Sequence, residues 1–308
     1  MIVLMPVAFW MPSLVAGPPM DPVTPGTIPG RLIESFNQRS GFWSALLALL
    51  LVMINGYLLV QLNTVHIFIP GRTPLPAFFY YTLVIGFSHI HQLTTALLAS
   101  TLIIYLLYRI FASYKYDGES INFLDAGLLV SAAGLLFLPA MLFFPLLLTG
   151  LIILRPFNWR EWTYAVIGMA LPFGFLAATC YLVDFPLKDY FTGFSDLFKS
   201  GGQHYNTSQL VSIGGILAIV GYASYYMVTT ISNMKIQARK MFMVFLWLFL
   251  YTLLIYFTVR GTWIEVVYFL AIPLSFLLSH YFTRCRKNWI NDLIFSVFLL
   301  LLILQLVF

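Results

Sequence analysis

Charge is what this sequence has least of. Asp, Glu, Lys and Arg make up 9% of its 308 residues, where a soluble domain carries roughly 25%. That scarcity excludes an ordinary water-soluble globular fold. Cysteine is nearly absent: Cys180 and Cys285 stand far apart, in or beside apolar runs. They offer neither a metal-ligand spacing nor a disulfide framework, and they read as small apolar residues of a packed interior. Enzyme signatures are missing too. The chain has no Gly-rich phosphate loop, no His-Glu-x-x-His and no nucleophile elbow. It has no repeat of fixed period and no low-complexity tract. No apolar run carries the series of acids expected of a proton-coupled pump. The net charge of +5 comes from basic residues scattered between apolar segments, which speaks against a nucleic-acid partner.

What is present is apolar and aromatic, 61% and 18% of the chain. Trp and Tyr collect at membrane interfaces. The expected fold is an all-α integral membrane protein, a single transmembrane domain over 1–308. About eleven membrane segments are expected, some of them short paired helices. The apolar runs place them at about 1–16, 42–62, 75–88, 91–109, two within 122–154, 162–183, 209–230, 241–259, 262–283 and 288–308. The first run lacks a basic lead and is interrupted by Pro6 and Pro12, so it reads as a short span rather than a signal peptide. It starts abruptly at Met1, which leaves room for a few residues upstream. A first outer loop, 17–41, contains Arg31 to Arg39. There Leu32, Ile33 and Phe36 share one helical face and Arg31, Glu34 and Asn37 another, an amphipathic surface helix. A second outer loop occupies 184–208. The run 122–154 is too long for one span, and Leu138-Pro139 interrupts it. Proline cannot continue the helical ladder, so the run reads as a broken hairpin with both ends on one side.

Basic residues set the orientation. Taking Arg109 and Lys115 as inside, the hairpin brings Arg155 and Arg160 inside. Counting along the chain adds Arg72, Lys235, Arg239, Lys240, Arg284, Arg286 and Lys287, or 11 of the 16 basic residues. Arg31, Arg39, Lys188, Lys199 and Arg260 fall outside. The N-terminus is then inside and the C-terminus outside.

Charged groups in a low-dielectric environment are the first place to look for chemistry. Asp21 and Glu34, in the first outer loop, are the catalytic candidates if the protein is a transferase. A carboxylate there could act as a general base, and a divalent cation would be the accompanying cofactor. Otherwise both are solvated loop acids. Arg155 and Arg160, flanked by Trp159 and Trp162, could hold a lipid phosphate. The alternative is a topological anchor with a local Arg160–Glu161 or Asp125–Arg155 pair. Glu265, near Arg260, is either half of a boundary ion pair or a cavity-facing acid. Arg260, His89 and His91 could face the same cavity; the two histidines otherwise read as interfacial rather than as metal ligands, since no further ligands accompany them, and no metal site is expected. His280 is expected at the interface as well.

The Phe-Leu-Asp-Ala-Gly lead-in at Phe123, the Leu-Phe-Leu-Pro-Ala turn, the Arg-Pro-Phe-Asn-Trp-Arg-Glu-Trp box at Arg155 to Trp162, and the Thr73-Pro-Leu-Pro-Ala segment resemble a family of polytopic inner-membrane proteins from Bacteroidetes. The resemblance covers most of the chain and implies a bacterial inner membrane. The order of segments also resembles, more distantly, the multi-span glycosyltransferases of the C superfamily, which use polyprenyl-phosphate sugar donors. In that superfamily an acid of the first outer loop is catalytic. Three functions follow, in order: a non-catalytic membrane subunit or scaffold in envelope biogenesis or secretion, a lipid-linked glycosyltransferase, and a transporter. Expected partners are membrane lipids and other inner-membrane proteins.

Overall fold

The structure, a computed structural model, describes residues 28–67, 69, 73–86, 91–114, 121–182, 219–226, 235–259, 263–284 and 288–307, with residues 6, 7, 9–11, 14, 214, 215 and 229. The described elements are helical. In chain order they are α1 (Ile28–Arg39), α2 (Gly41–His66), α3 (Leu75–Gly86), α4 (Thr95–Ala112), α5 (Ile121–Leu136), a 3-10 turn (Leu138–Phe143), α6 (Phe144–Leu154), α7 (Trp159–Leu182), α8 (Ile236–Thr258), α9 (Trp263–Arg284) and α10 (Asn288–Val307).

Five of the described helices are long and apolar enough to cross a membrane: α2, α4, α7, α8 and α9. Of the roughly eleven segments expected, these five have spanning length among the described residues. The described part of α3, α5, α6 and α10 is apolar but shorter, and a hydrocarbon core of ~30 Å needs ~20 helical residues. The runs at 1–16 and 209–230 lie largely outside the described residues.

Local chemistry sets several boundaries. Thr94 caps α4: its side chain accepts a hydrogen bond from Leu97 N at 3.2 Å, so the helix starts at Thr95 rather than at His91. α2 ends in a left-handed Ile67 with φ 50. A β-branched residue is strained there. The Asn63 side chain braces the turn by accepting from Ile69 N at 3.0 Å. Phe137 leaves helical geometry, and Pro139 enters the first turn of the 3-10 segment.

α9 is the axis of the bundle, almost entirely buried. Phe276 stacks on Phe245 of α8 at 4.3 Å, Phe269 on Phe137 at 5.6 Å, and Phe282 on Phe79 of α3 at 5.3 Å. α7 is the opposite case. It buries one narrow stripe, Glu161, Ala165 and Gly168, with Cys180 further along. The stripe lies on α5, where Gly127 and Gly168 face each other's backbones. Small residues let helices approach this closely.

Candidate functional site

Two polar regions stand at opposite ends of the bundle. The first gathers the last turn of α4, the first turn of α5, the end of α6 and the starts of α7 and α8. Arg109 Nη2 lies 3.1 Å from Asp125 Oδ2. The Arg155 guanidinium donates from Nε to the Ser113 carbonyl at 2.7 Å and pairs through Nη1 with Glu161 at 2.5 Å. It also sits over the Phe123 ring, 5.9 Å from the centroid. Lys240 of α8 donates to the Leu154 carbonyl at 3.3 Å and lies over the Tyr114 ring. Arg155 at the end of α6 thus meets Phe123 at the start of α5.

The two ion pairs differ in burial, and so in weight. Arg155 and Glu161 have side-chain exposures of 10% and 5%, against 49% and 31% for Arg109 and Asp125. The local pairings read from sequence, Arg160–Glu161 or Asp125–Arg155, are replaced by Arg155–Glu161 and Arg109–Asp125. The cause is the turn 155–158 before α7. It carries Glu161 back under Arg155 and leaves Asp125 beside α4. Arg155 is therefore engaged by groups inside the protein. Arg160 and Trp159 are exposed, and Trp162 is half-buried against Phe157. A groove of about 660 Å³ opens beside the Arg109–Asp125 pair, lined also by Leu58, Gln61, Tyr105 and Tyr108.

The second region begins where α1 meets α2. Asn37 donates to the Leu93 carbonyl at 2.9 Å and accepts from Ser44 Oγ at 2.6 Å, while Leu93 N donates to Ser44 Oγ at 2.9 Å. These bonds fasten α1, α2 and the approach to α4. Deeper in, Asn55 of α2 donates to Tyr80 of α3 at 3.1 Å and to Ser100 of α4 at 3.3 Å. Thr94, Tyr80 and Glu265 lie within electrostatic reach of Tyr268 of α9. Glu265 sits in the first turn of α9, where the helix dipole favours a negative group. It is 7% exposed, and its Oε2 has no hydrogen-bond partner among the described residues.

The remaining candidates separate. Glu34 is half-buried on α1. His91 is half-buried with its ring 4.3 Å from that of Trp10. Asp21, His89 and Arg260 lie outside the described residues. His280 is not interfacial: it is fully buried, edge-on to Phe242 at 4.9 Å, because α8 covers that side of α9. Among the described residues no three His, Cys, Asp or Glu side chains converge as metal ligands. Sequence reasoning missed Asn55, Thr94, Ser100, Tyr80 and Tyr268. The available signal was an asparagine near the middle of a 26-residue apolar helix, an expensive placement unless the side chain is used.

These features define an all-helical bundle with spanning-length apolar helices, a basic end and a buried polar centre. The chain belongs to the DUF6427 family, a family of unknown function, whose model matches residues 30–308. No match was found among curated proteins. None was found among solved structures.

Proposed function

We propose that the protein is a non-catalytic polytopic subunit or scaffold of a bacterial inner membrane, serving cell-envelope biogenesis or secretion. One observation carries this reading: the polar side chains of the interior bind helix to helix instead of converging on an open space. Asn37 and Ser44, Asn55 with Tyr80 and Ser100, and Arg155 with Glu161 each join separate elements. Such bonds make a rigid body. α7 rests on that body by a narrow glycine contact and presents Val166, Ile167, Leu171, Phe175 and Tyr181 outward. That apolar face suits a partner's helix within the bilayer. In this reading the basic end of the bundle faces the cytoplasm.

Purification of the full chain in mild detergent, followed by mass spectrometry of bound proteins and lipids, tests it. A stoichiometric protein partner is expected. A bound polyprenyl-phosphate lipid without a partner, together with glycan loss on Asp21→Asn or Glu34→Gln, would replace the subunit reading with a transferase.

A further inference from the structure

We propose that Glu265 anchors a cation site inside the bundle, taking either a proton or a sodium ion. The inference goes beyond the subunit reading and does not depend on it. Burial is the starting point. Glu265 is 7% exposed, and its Oε2 has no hydrogen-bond donor among the described residues. An ionised carboxylate so placed is costly unless it is paired. Some positive charge must offset it.

Among the described residues, the helices packed on α9 supply none beside it. α9 packs against α3, α4 and α8. From α3 the titratable groups are Tyr80 and Tyr81. From α4 they are Tyr105, Tyr108 and Arg109, and Arg109 belongs to the opposite end of the bundle with Asp125. From α8 they are Arg239, Lys240, Tyr251 and Tyr256, and Lys240 is bonded to Leu154 at that same opposite end. On α9 itself, Arg284 lies 19 residues further on, about 28 Å along the axis at ~1.5 Å per residue.

Oxygen is what the neighbourhood offers. Tyr268 follows Glu265 by three residues, on the same face of α9, and Tyr80 and Thr94 lie within electrostatic reach of it. Tyr80 leads to Asn55, whose amide donates to Tyr80 and Ser100 while its buried Oδ1 has no partner among the described residues. The result is a run of hydroxyl and carbonyl oxygens from α9 through α4 and α3 to α2, with one carboxylate at its head. Hard cations take oxygen donors of this kind. A proton needs only the carboxylate.

The test is thermal unfolding of the full chain in detergent, in NaCl against choline chloride at equal ionic strength, from pH 5 to pH 9. Ligand that binds only the folded state stabilises it by mass action. With sodium as occupant, NaCl shifts the unfolding equilibrium at least tenfold over choline, and Glu265→Gln removes the shift. With a proton as occupant, the folded state holds a proton that unfolding releases. Stability then falls as pH rises, in both salts, and Glu265→Gln flattens the slope. Arg260→Gln should leave either response in place. Should Glu265→Gln fail to fold, a hydrophobic carbodiimide applied to the wild-type chain reports instead. It reacts with a protonated carboxyl in an apolar site, and the adduct should map to Glu265 and fall with rising pH or added sodium. The proposal is overturned if wild type shows neither response, if Glu265→Gln leaves the response intact, if Arg260→Gln abolishes it, or if the carbodiimide leaves Glu265 unmodified.

Discussion

Replacing Gly168 by alanine should loosen α7 from the rest of the bundle. A Cβ at Gly168 would fall against the Leu124 carbonyl oxygen, with Leu128 N at 3.1 Å. Its counterpart at Gly127 would meet the Ala165 carbonyl, with Met169 N at 2.9 Å. Non-bonded heavy atoms prefer ~3.5–4.0 Å, so the helices would have to part by roughly 1 Å. The obstacle is backbone, which cannot rotate aside as a side chain can. Overpacking of this kind costs about 1–3 kcal/mol. Gly174 lies on the same helix with nothing within 4 Å of its Cβ position. There alanine meets no obstacle and gains helix propensity, about 0.5–1 kcal/mol. The two variants should therefore differ by roughly 1.5–4 kcal/mol, or about tenfold or more in the unfolding equilibrium at ~1.4 kcal/mol per decade. Denaturing-detergent titration followed by circular dichroism measures this directly. Gly127→Ala combined with Gly168→Ala should cost less than the sum, because either change alone opens the same contact. Equal stabilities for Gly168→Ala and Gly174→Ala would refute the reasoning.

Arg155→Ala strands Glu161 in a buried position and should cost about 3–5 kcal/mol in the same titration; Arg109→Ala, at an exposed pair, should cost about 1 kcal/mol or less. Asn55→Ala removes the bonds to Tyr80 and Ser100 and should cost about 0.5–1.7 kcal/mol, the range found for bonds between membrane helices. In a chain with Cys180 and Cys285 replaced, cysteines introduced at Ile121 and Phe157, both exposed, should react with an impermeant maleimide from the same side of the membrane, since Arg155 joins the two ends of that stretch.

Single-element features were largely legible in the sequence, and pairings were not. The apolar run at 42–62 is α2, which continues to His66 until Ile67 and Asn63 close it. The Leu138-Pro139 interruption marks the 3-10 turn, because proline's missing N–H acts locally. A lone acid in an apolar run drew attention to Glu265, since charge contrast is visible residue by residue. Which groups meet across helices depends on rotation and depth, which composition does not encode. Arg109 could have met any acid of its end, and only the packing of α5 on α4 selects Asp125. Asn55 and Tyr80 are 25 residues apart, and both read as ordinary members of apolar runs. The number of full crossings is hard to read from sequence for a related reason. Apolar length marks a helix but does not separate a full crossing from the shorter helices α3, α5 and α6, which the long ones bury.

The subunit reading rests on what covers α7. A photo-crosslinking phenylalanine analogue at Phe175, 70% exposed, placed in the full chain and activated in native membranes, addresses that surface. The account expects one protein adduct of discrete mass, weakened when Gly168→Ala shifts the helix. Adducts to lipid alone, from a chain that still functions, would contradict it.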